Sequence, residues 1–149
     1  MTTENPSMLS HVSIGTNQFG RAVQFYEHVL ATLGCRKLME FPEAVAFGRL
    51  YPEFWVQQPI DGHPAATANG VHFGFVADSR EQVRAFHEAA LAQGGRDDGG
   101  PGPRPDYGAA YYGCFIRDLD GHKIEATFWD ESLDGAGHGA AHDHAHGAG

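Results

Sequence analysis

Two stretches of the chain carry the same order of apolar and polar positions. Leu9 to Gly15 alternates small and apolar residues around β-branched Val12 and Ile14, which predicts a strand. From about Gly20 to Leu33, Ala22, Val23, Phe25, Tyr26, Val29, Leu30 and Leu33 recur at helical spacing, and Gly34 fits a C-terminal stop. The segment from His72, HFGFVADSREQVRAFHEAALAQGG, overlays the segment from His11, HVSIGTNQFGRAVQFYEHVLATLG, without a gap. In that overlay His11 meets His72, Phe25 meets Phe86, Glu27 meets Glu88, Leu30 meets Leu91 and Gly34 meets Gly95. Each copy predicts a strand at the histidine, an amphipathic helix and a glycine stop. The second helix spans about Arg80 to Gln93, with Asp78 or Ser79 as its N-cap.

After the first helix, short strands are expected near 36–41, 44–50 and 53–58, separated by Pro42, Pro52 and Pro59. DGHPAATANG reads as a connector between the halves, and GGRDDGGPGPRPDYG as an exposed loop. Tyr111 to Arg117 and His122 to Trp129 read as the last strands, joined by the turn DLDG. The expected order is βαβββ followed by βαβββ. Residues 1–8 are expected to be a flexible leader and 9–131 one domain, with module 1 at about 9–60 and module 2 at about 70–130. Residues 132–149, rich in Gly, Ala and His, are expected to be a disordered tail.

Composition narrows the possible partners. The chain has 149 residues, 42% of them hydrophobic and 11% aromatic, enough for an interior. Lys and Arg total 10 against 19 Asp and Glu, and a formal charge of -9 argues against a nucleic-acid backbone as partner. No apolar run approaches the roughly 20 residues of a spanning helix. The start, MTTENPSM, has neither the basic flank nor the apolar run of a secretory signal. Cys35 and Cys114 make no disulfide framework. Together these predict a cytoplasmic protein without membrane attachment.

Candidate chemistry rests on His11, His72 and Glu125. A lone strand histidine is more often a core or surface residue than a ligand, but here two stand at matched repeat positions. Glu125 alternates with Ile124 and Ala126, so its carboxylate lies on the face opposite the apolar one. Two imidazoles and a carboxylate, each starting from a strand, suit a divalent metal with open positions. Ligand identity leaves Zn, Ni, Mn and Fe open. Tyr111 and Tyr112 must point to opposite faces; one hydroxyl can therefore reach the cleft, to orient substrate or donate a proton. Trp55, Phe73 or Phe75 can form an apolar wall. Arg104 and Tyr107 read as solvated loop residues and Cys114 as packing. In the tail, His138, His142, His144 and His146 form an adventitious metal binder.

The motifs HVSIGTNQFGRAVQFYEHVL, GVHFGF and YGCFIRDLDGHKIEATF resemble those of the vicinal oxygen chelate superfamily, which includes glyoxalase I, fosfomycin- and bleomycin-resistance proteins and extradiol dioxygenases. The resemblance covers nearly all of 9–129. It implies an α+β fold in which two tandem βαβββ modules form a curved mixed sheet around a metal-binding cleft. It also implies metal ligands at His11, His72 and Glu125, a small-molecule substrate and a homodimer. Glu125 and Tyr111 become the candidate catalytic residues. Glyoxalase I enzymes add a glutamate from the last strand of the first module, where YPEFWVQQP makes Trp55 the more natural occupant and Glu53 the alternative. They also commonly carry an arginine where this chain has Gly15, so a glutathione substrate is not favoured. Two readings follow: a metal-dependent glyoxalase- or dioxygenase-like enzyme on a small oxygenated molecule, or a non-catalytic binding protein of the bleomycin-resistance type.

Overall fold

A computed structural model describes residues 7–133. The first module runs β1 (Val12–Gly15), α1 (Phe19–Ala31), β2 (Arg36–Phe41), β3 (Ala44–Gly48) and β4 (Phe54–Gln57). The second runs β5 (His72–Val76), α2 (Arg80–Ala92), β6 (Arg96–Pro103), β7 (Tyr111–Arg117) and β8 (Lys123–Trp129). Each module is a βαβββ unit. Their strands form two four-stranded sheets in the orders β1-β4-β3-β2 and β5-β8-β7-β6. Each is mixed: β1 runs parallel to β4 and β5 to β8, while the remaining pairs are antiparallel. The chain is thus α+β, and the repeated first strand of each module lies at a sheet edge.

Both helices form where the apolar spacing predicts them and bury that stripe. Helix α1 buries Ala22, Phe25, Tyr26, Val29 and Leu30, and α2 buries Val83, Phe86 and Ala90. Ser79 caps α2 by accepting from the Gln82 N–H at 3.1 Å. The two helices pack together over one core that also takes Phe54, Val56, Ile116 and Ile124. Removing a ring as buried as Phe86 would cost roughly 3–5 kcal/mol.

One element departs from expectation. Within GGRDDGGPGPRPDYG, residues Arg96–Pro103 form strand β6, not an exposed loop. The strand is tolerated because it is an edge with a single ladder, to β7, where the N–H groups that Pro101 and Pro103 lack are not needed on both sides. Its pairing with β7 shifts register between Asp97 and Gly99 and again between Gly99 and Gly102. Contacts also continue past Glu131: the Leu133 N–H donates to the Asp130 carbonyl at 2.9 Å, and Leu133 packs against the core. Among the described residues no helix is long and apolar enough to cross a membrane.

The modules are tied by the turn between β7 and β8. Asp118 accepts from the buried Tyr26 hydroxyl of α1 at 2.5 Å, and from the N–H groups of Asp120 and His122, each at 2.9 Å. Asp120 in turn accepts from the Thr16 hydroxyl at 2.6 Å and the Asn17 N–H at 3.0 Å. A turn of the second module thereby holds the entry to the first module's helix.

Candidate functional site

Strand β8 sets the centre of the site. Its alternation buries Ile124 and Ala126 against the helices and turns Glu125 and Thr127 to the other face. Parallel pairing places Gly74 of β5 directly opposite Glu125, and His72 two residues earlier on the same strand face. A side chain at Gly74 would crowd the carboxylate, since its Cβ would lie 3.3 Å from Glu125 Oε1. His72 Nε2 lies 3.0 Å from that same oxygen.

The other carboxylate oxygen is held by two hydroxyls. Tyr111 donates to Glu125 Oε2 at 2.7 Å and Thr127 at 2.5 Å. Tyr111 reaches Glu125 by lying along β7 over Gly113, where any Cβ would collide with the phenol oxygen. Burial, and then the neighbouring Glu125, push the Tyr111 hydroxyl well above the usual tyrosine value of 10.0, so it stays a donor at neutral pH. Tyr112 points the other way and accepts from Arg84 of α2 at 2.9 Å. Glu125 is itself buried, 8% exposed. A cavity of about 320 Å³ opens beside it, with Tyr107, Tyr111 and Trp129 in its wall.

His11 immediately precedes β1, and its Nδ1 lies 2.9 Å from the Ser10 hydroxyl. It shares a cavity of about 520 Å³ with His72 and Glu53. Among the described residues no three His, Cys, Asp or Glu side chains stand close enough together to hold a metal ion. His72 and Glu125 are in contact, whereas His11 lines a cavity with His72 and does not join the pair. The donor chemistry of the pair fits a divalent ion: imidazole faces carboxylate, and hydroxyl bonds orient the far oxygen.

Strand register separates Trp55 from Glu53. Ser13 of β1 pairs with Trp55 as Gly74 of β5 pairs with Glu125, and the repeat superposes Ser13 on Gly74. Trp55 thus occupies the place of Glu125 in the first module, while Glu53 matches Lys123. The Trp55 ring stacks on Phe41 with centroids 6.3 Å apart and planes 15° from parallel.

Other candidates have structural tasks. Arg104 donates to the carbonyls of Gly100 and Gly102 at 2.8 and 3.0 Å and lies over the Phe115 ring. Tyr107 packs edge-on against Tyr111. Cys114 is fully buried and its thiol is pushed up to about 12 by desolvation, which removes it as a nucleophile. Phe73 and Phe75 line the larger cavity. His138, His142, His144 and His146 lie outside the described residues. Thr127, Gly74 and Gly113 were not foreseen as parts of the site. Strand alternation alone puts Thr127 on the Glu125 face, whereas the glycines matter only through cross-strand register.

The family model for the Glyoxalase/Bleomycin resistance protein/Dioxygenase superfamily matches residues 8–126. A glyoxalase/bleomycin resistance protein from Albidiferax ferrireducens T118 is similar at 36% identity and a TM-score of 0.74, covering 82% of this chain and 98% of its own. A putative glyoxalase from Bacillus halodurans shares the fold at 21% identity and a TM-score of 0.64, over 83% and 96% of the two chains. So does a lactoylglutathione lyase from Agrobacterium tumefaciens, at 21% identity and a TM-score of 0.57, over 84% and 96%. No curated protein matches the chain.

Proposed function

Because the chain belongs to the Glyoxalase/Bleomycin resistance protein/Dioxygenase superfamily, we propose that it is a metal-dependent, glyoxalase- or dioxygenase-like enzyme acting on a small oxygenated organic molecule. His11, His72 and Glu125 are assigned as ligands of one divalent ion, drawn from Zn, Ni, Mn and Fe. The observation that carries this reading is the partition of Glu125: Oε2 is taken by Tyr111 and Thr127, and Oε1 is turned to His72 Nε2. Hydroxyls on the far oxygen are what orient a ligating carboxylate. A divalent ion bound there supplies Lewis-acid polarisation of a substrate that presents two adjacent oxygens.

The protein's own groups divide the remaining work. Glu125 Oε1 carries no hydroxyl donor; it is the oxygen that would ligate the ion, and it would take up a proton only when released from it. Tyr111 holds its proton and can shift it between Glu125 Oε2 and a substrate oxygen. Glutathione is disfavoured by Gly15, where an added Cβ would meet Ala65 Cβ at 3.1 Å and Pro59 Cγ at 3.3 Å. An arginine side chain there would have to displace the connector.

We place the functional unit in a homodimer, supported by the outer edges of β1 and β5, which pair with no other strand among the described residues, and by the exposed Val76 and Trp129. A second copy can then bring its first module to the His72–Glu125 pair. The free thiols of Cys35 and Cys114 agree with a cytoplasmic setting.

The test is elemental analysis of the full-length protein carrying His138→Ala, His142→Ala, His144→Ala and His146→Ala, beside the same protein with His72→Ala. About one equivalent of a transition metal per chain, lost with His72, is expected from a site with two imidazoles and a carboxylate. A metal-free protein even after reconstitution would move the reading to a ligand-sequestering protein. That second reading is favoured by the aromatic cavity walls and by the absence of a three-donor group among the described residues.

A further inference from the structure

Strand register sorts the side chains around the His72–Glu125 pair into rows. One row is His72, Lys123 and Arg117, and the next is Gly74, Glu125 and Phe115. Lys123 and Glu125 are therefore neighbours on one face of β8, about 6–7 Å apart along the strand. Their charges are spent elsewhere. The Glu125 oxygens go to His72, Tyr111 and Thr127. The half-buried Lys123 places its ammonium over the Phe115 ring instead, 4.9 Å from the centroid.

The other cations of this face have oxygen partners. Arg117 donates to Asp98 at 3.0 Å and to the Gly121 carbonyl at 3.2 Å. Arg104, whose guanidinium also lies over Phe115 at 5.6 Å, donates to the carbonyls of Gly100 and Gly102. Among the described residues Lys123 has no carboxylate or carbonyl partner, which leaves its ammonium donors for a ligand. The fold does not require a cation at this place, because the equivalent position of the first module is Glu53. A chain with a formal charge of -9 thus sets two cations over one ring, and His72 meets the same ring edge-on at 6.3 Å. A divalent ion held by His72 and Glu125 would have the same sign and add to this local excess. Such ground draws an anionic ligand.

We propose that Lys123 is a specificity-determining residue that binds a carboxylate of the substrate, one strand row away from the oxygens that face the His72–Glu125 pair. The substrate is then an oxygenated organic acid whose carboxylate at Lys123 is separate from its paired oxygens. This rests on the reading of the pair as the metal and substrate site, and adds the ligand's charge and the residue that reads it.

The test is calorimetric titration of the full-length protein, reconstituted with Zn, using a pair of 2-oxo acids of equal length. 2-Oxoglutarate ends in a carboxylate and 2-oxopentanoate in a methyl group, while both present the same adjacent oxygens. 2-Oxoglutarate should bind roughly tenfold more tightly, the scale of one charge-assisted hydrogen bond. Lys123→Met keeps an apolar stem over Phe115 and removes the charge, so it should erase the preference by weakening 2-oxoglutarate alone. Lys123→Arg should keep the preference. Added salt should shrink it in the wild-type protein, a readout that needs no variant to fold. Equal affinities in the wild-type protein, equal weakening of both probes in Lys123→Met, or no saturable binding of either would overturn the inference. Metal that depends on His72, beside a preference that survives Lys123→Met, sinks this inference alone. A Lys123-dependent preference in a protein that takes up no metal sinks only the metal reading.

Discussion

Tyr111 and Gly113 act as a pair at the scale of single residues. The phenol can reach Glu125 only because the residue two positions along its own strand has no side chain, and the same position faces the Ala126 carbonyl at 2.7 Å from where a Cβ would sit. Gly113→Ala should therefore move the tyrosine off the carboxylate and cost about 1–3 kcal/mol, the range for overpacking a tight contact. A melt would report the destabilisation, and the structure of the variant would report the hydroxyl; a hydroxyl still 2.7 Å from Glu125 would refute the coupling. Repetition and strand alternation are enough to bring His72 and Glu125 forward as candidates and to leave Tyr111 as one of two adjacent tyrosines, one of which must share the Glu125 face. Gly113 and Gly74 were not legible in the chain, since their meaning depends on which residue of another strand comes to lie beside them. The same distinction separates Trp55 from Glu53, which are on one strand face and are told apart only by pairing with β1.

At the scale of elements, the β7–β8 turn is the fastening between modules, and Tyr26 with Asp118 is its buried part. Burial first, and then Asp118, hold the Tyr26 hydroxyl well above 10.0. A raised value in the folded state means that its contribution is intact below the unfolded value and is lost as pH rises through the folded one. Stability should consequently fall on the alkaline side of pH 10 as the unfolded phenol ionises. Tyr26→Phe should cost about 1–3 kcal/mol at neutral pH, because Asp118 Oδ2 loses its donor, and should flatten that alkaline decline. Urea unfolding at neutral pH and above pH 10 measures both; an equal loss at every pH would contradict the assignment. The two helices and most strands could be read from periodicity because burial on one face leaves a stripe. Strand β6 could not, for RDDGGPGP has no stripe to leave: its conformation is imposed by the ladder of β7.

For the whole molecule, His11 stands on one module and the His72–Glu125 pair on the other. A site shared between copies gives a prediction that a site within one chain does not. Chains carrying His11→Ala and chains carrying His72→Ala, each metal-free alone, should on mixing recover about one metal per mixed dimer, since one of its two sites then has every ligand intact. Tail histidines are replaced in both chains, and metal is counted on the separated mixed dimer. No recovery in a verified mixed dimer would place the complete site within a single chain.

The glycine- and proline-rich β6 also decides how the molecule can associate. Each sheet has two rims. One rim of the second sheet is β6, irregular in register and carrying two prolines and two aspartates that a newcomer strand could not pair with. The rim of the first sheet at β2 bears Arg36, Lys37 and Glu40. Growth by adding strands is thus discouraged on both flanks, and the rims left hospitable are β1 and β5. Two copies meeting through those rims would satisfy each other, leaving no hospitable border for a third among the described strands. Such a protein has a way to form a closed pair and little means of forming a fibre.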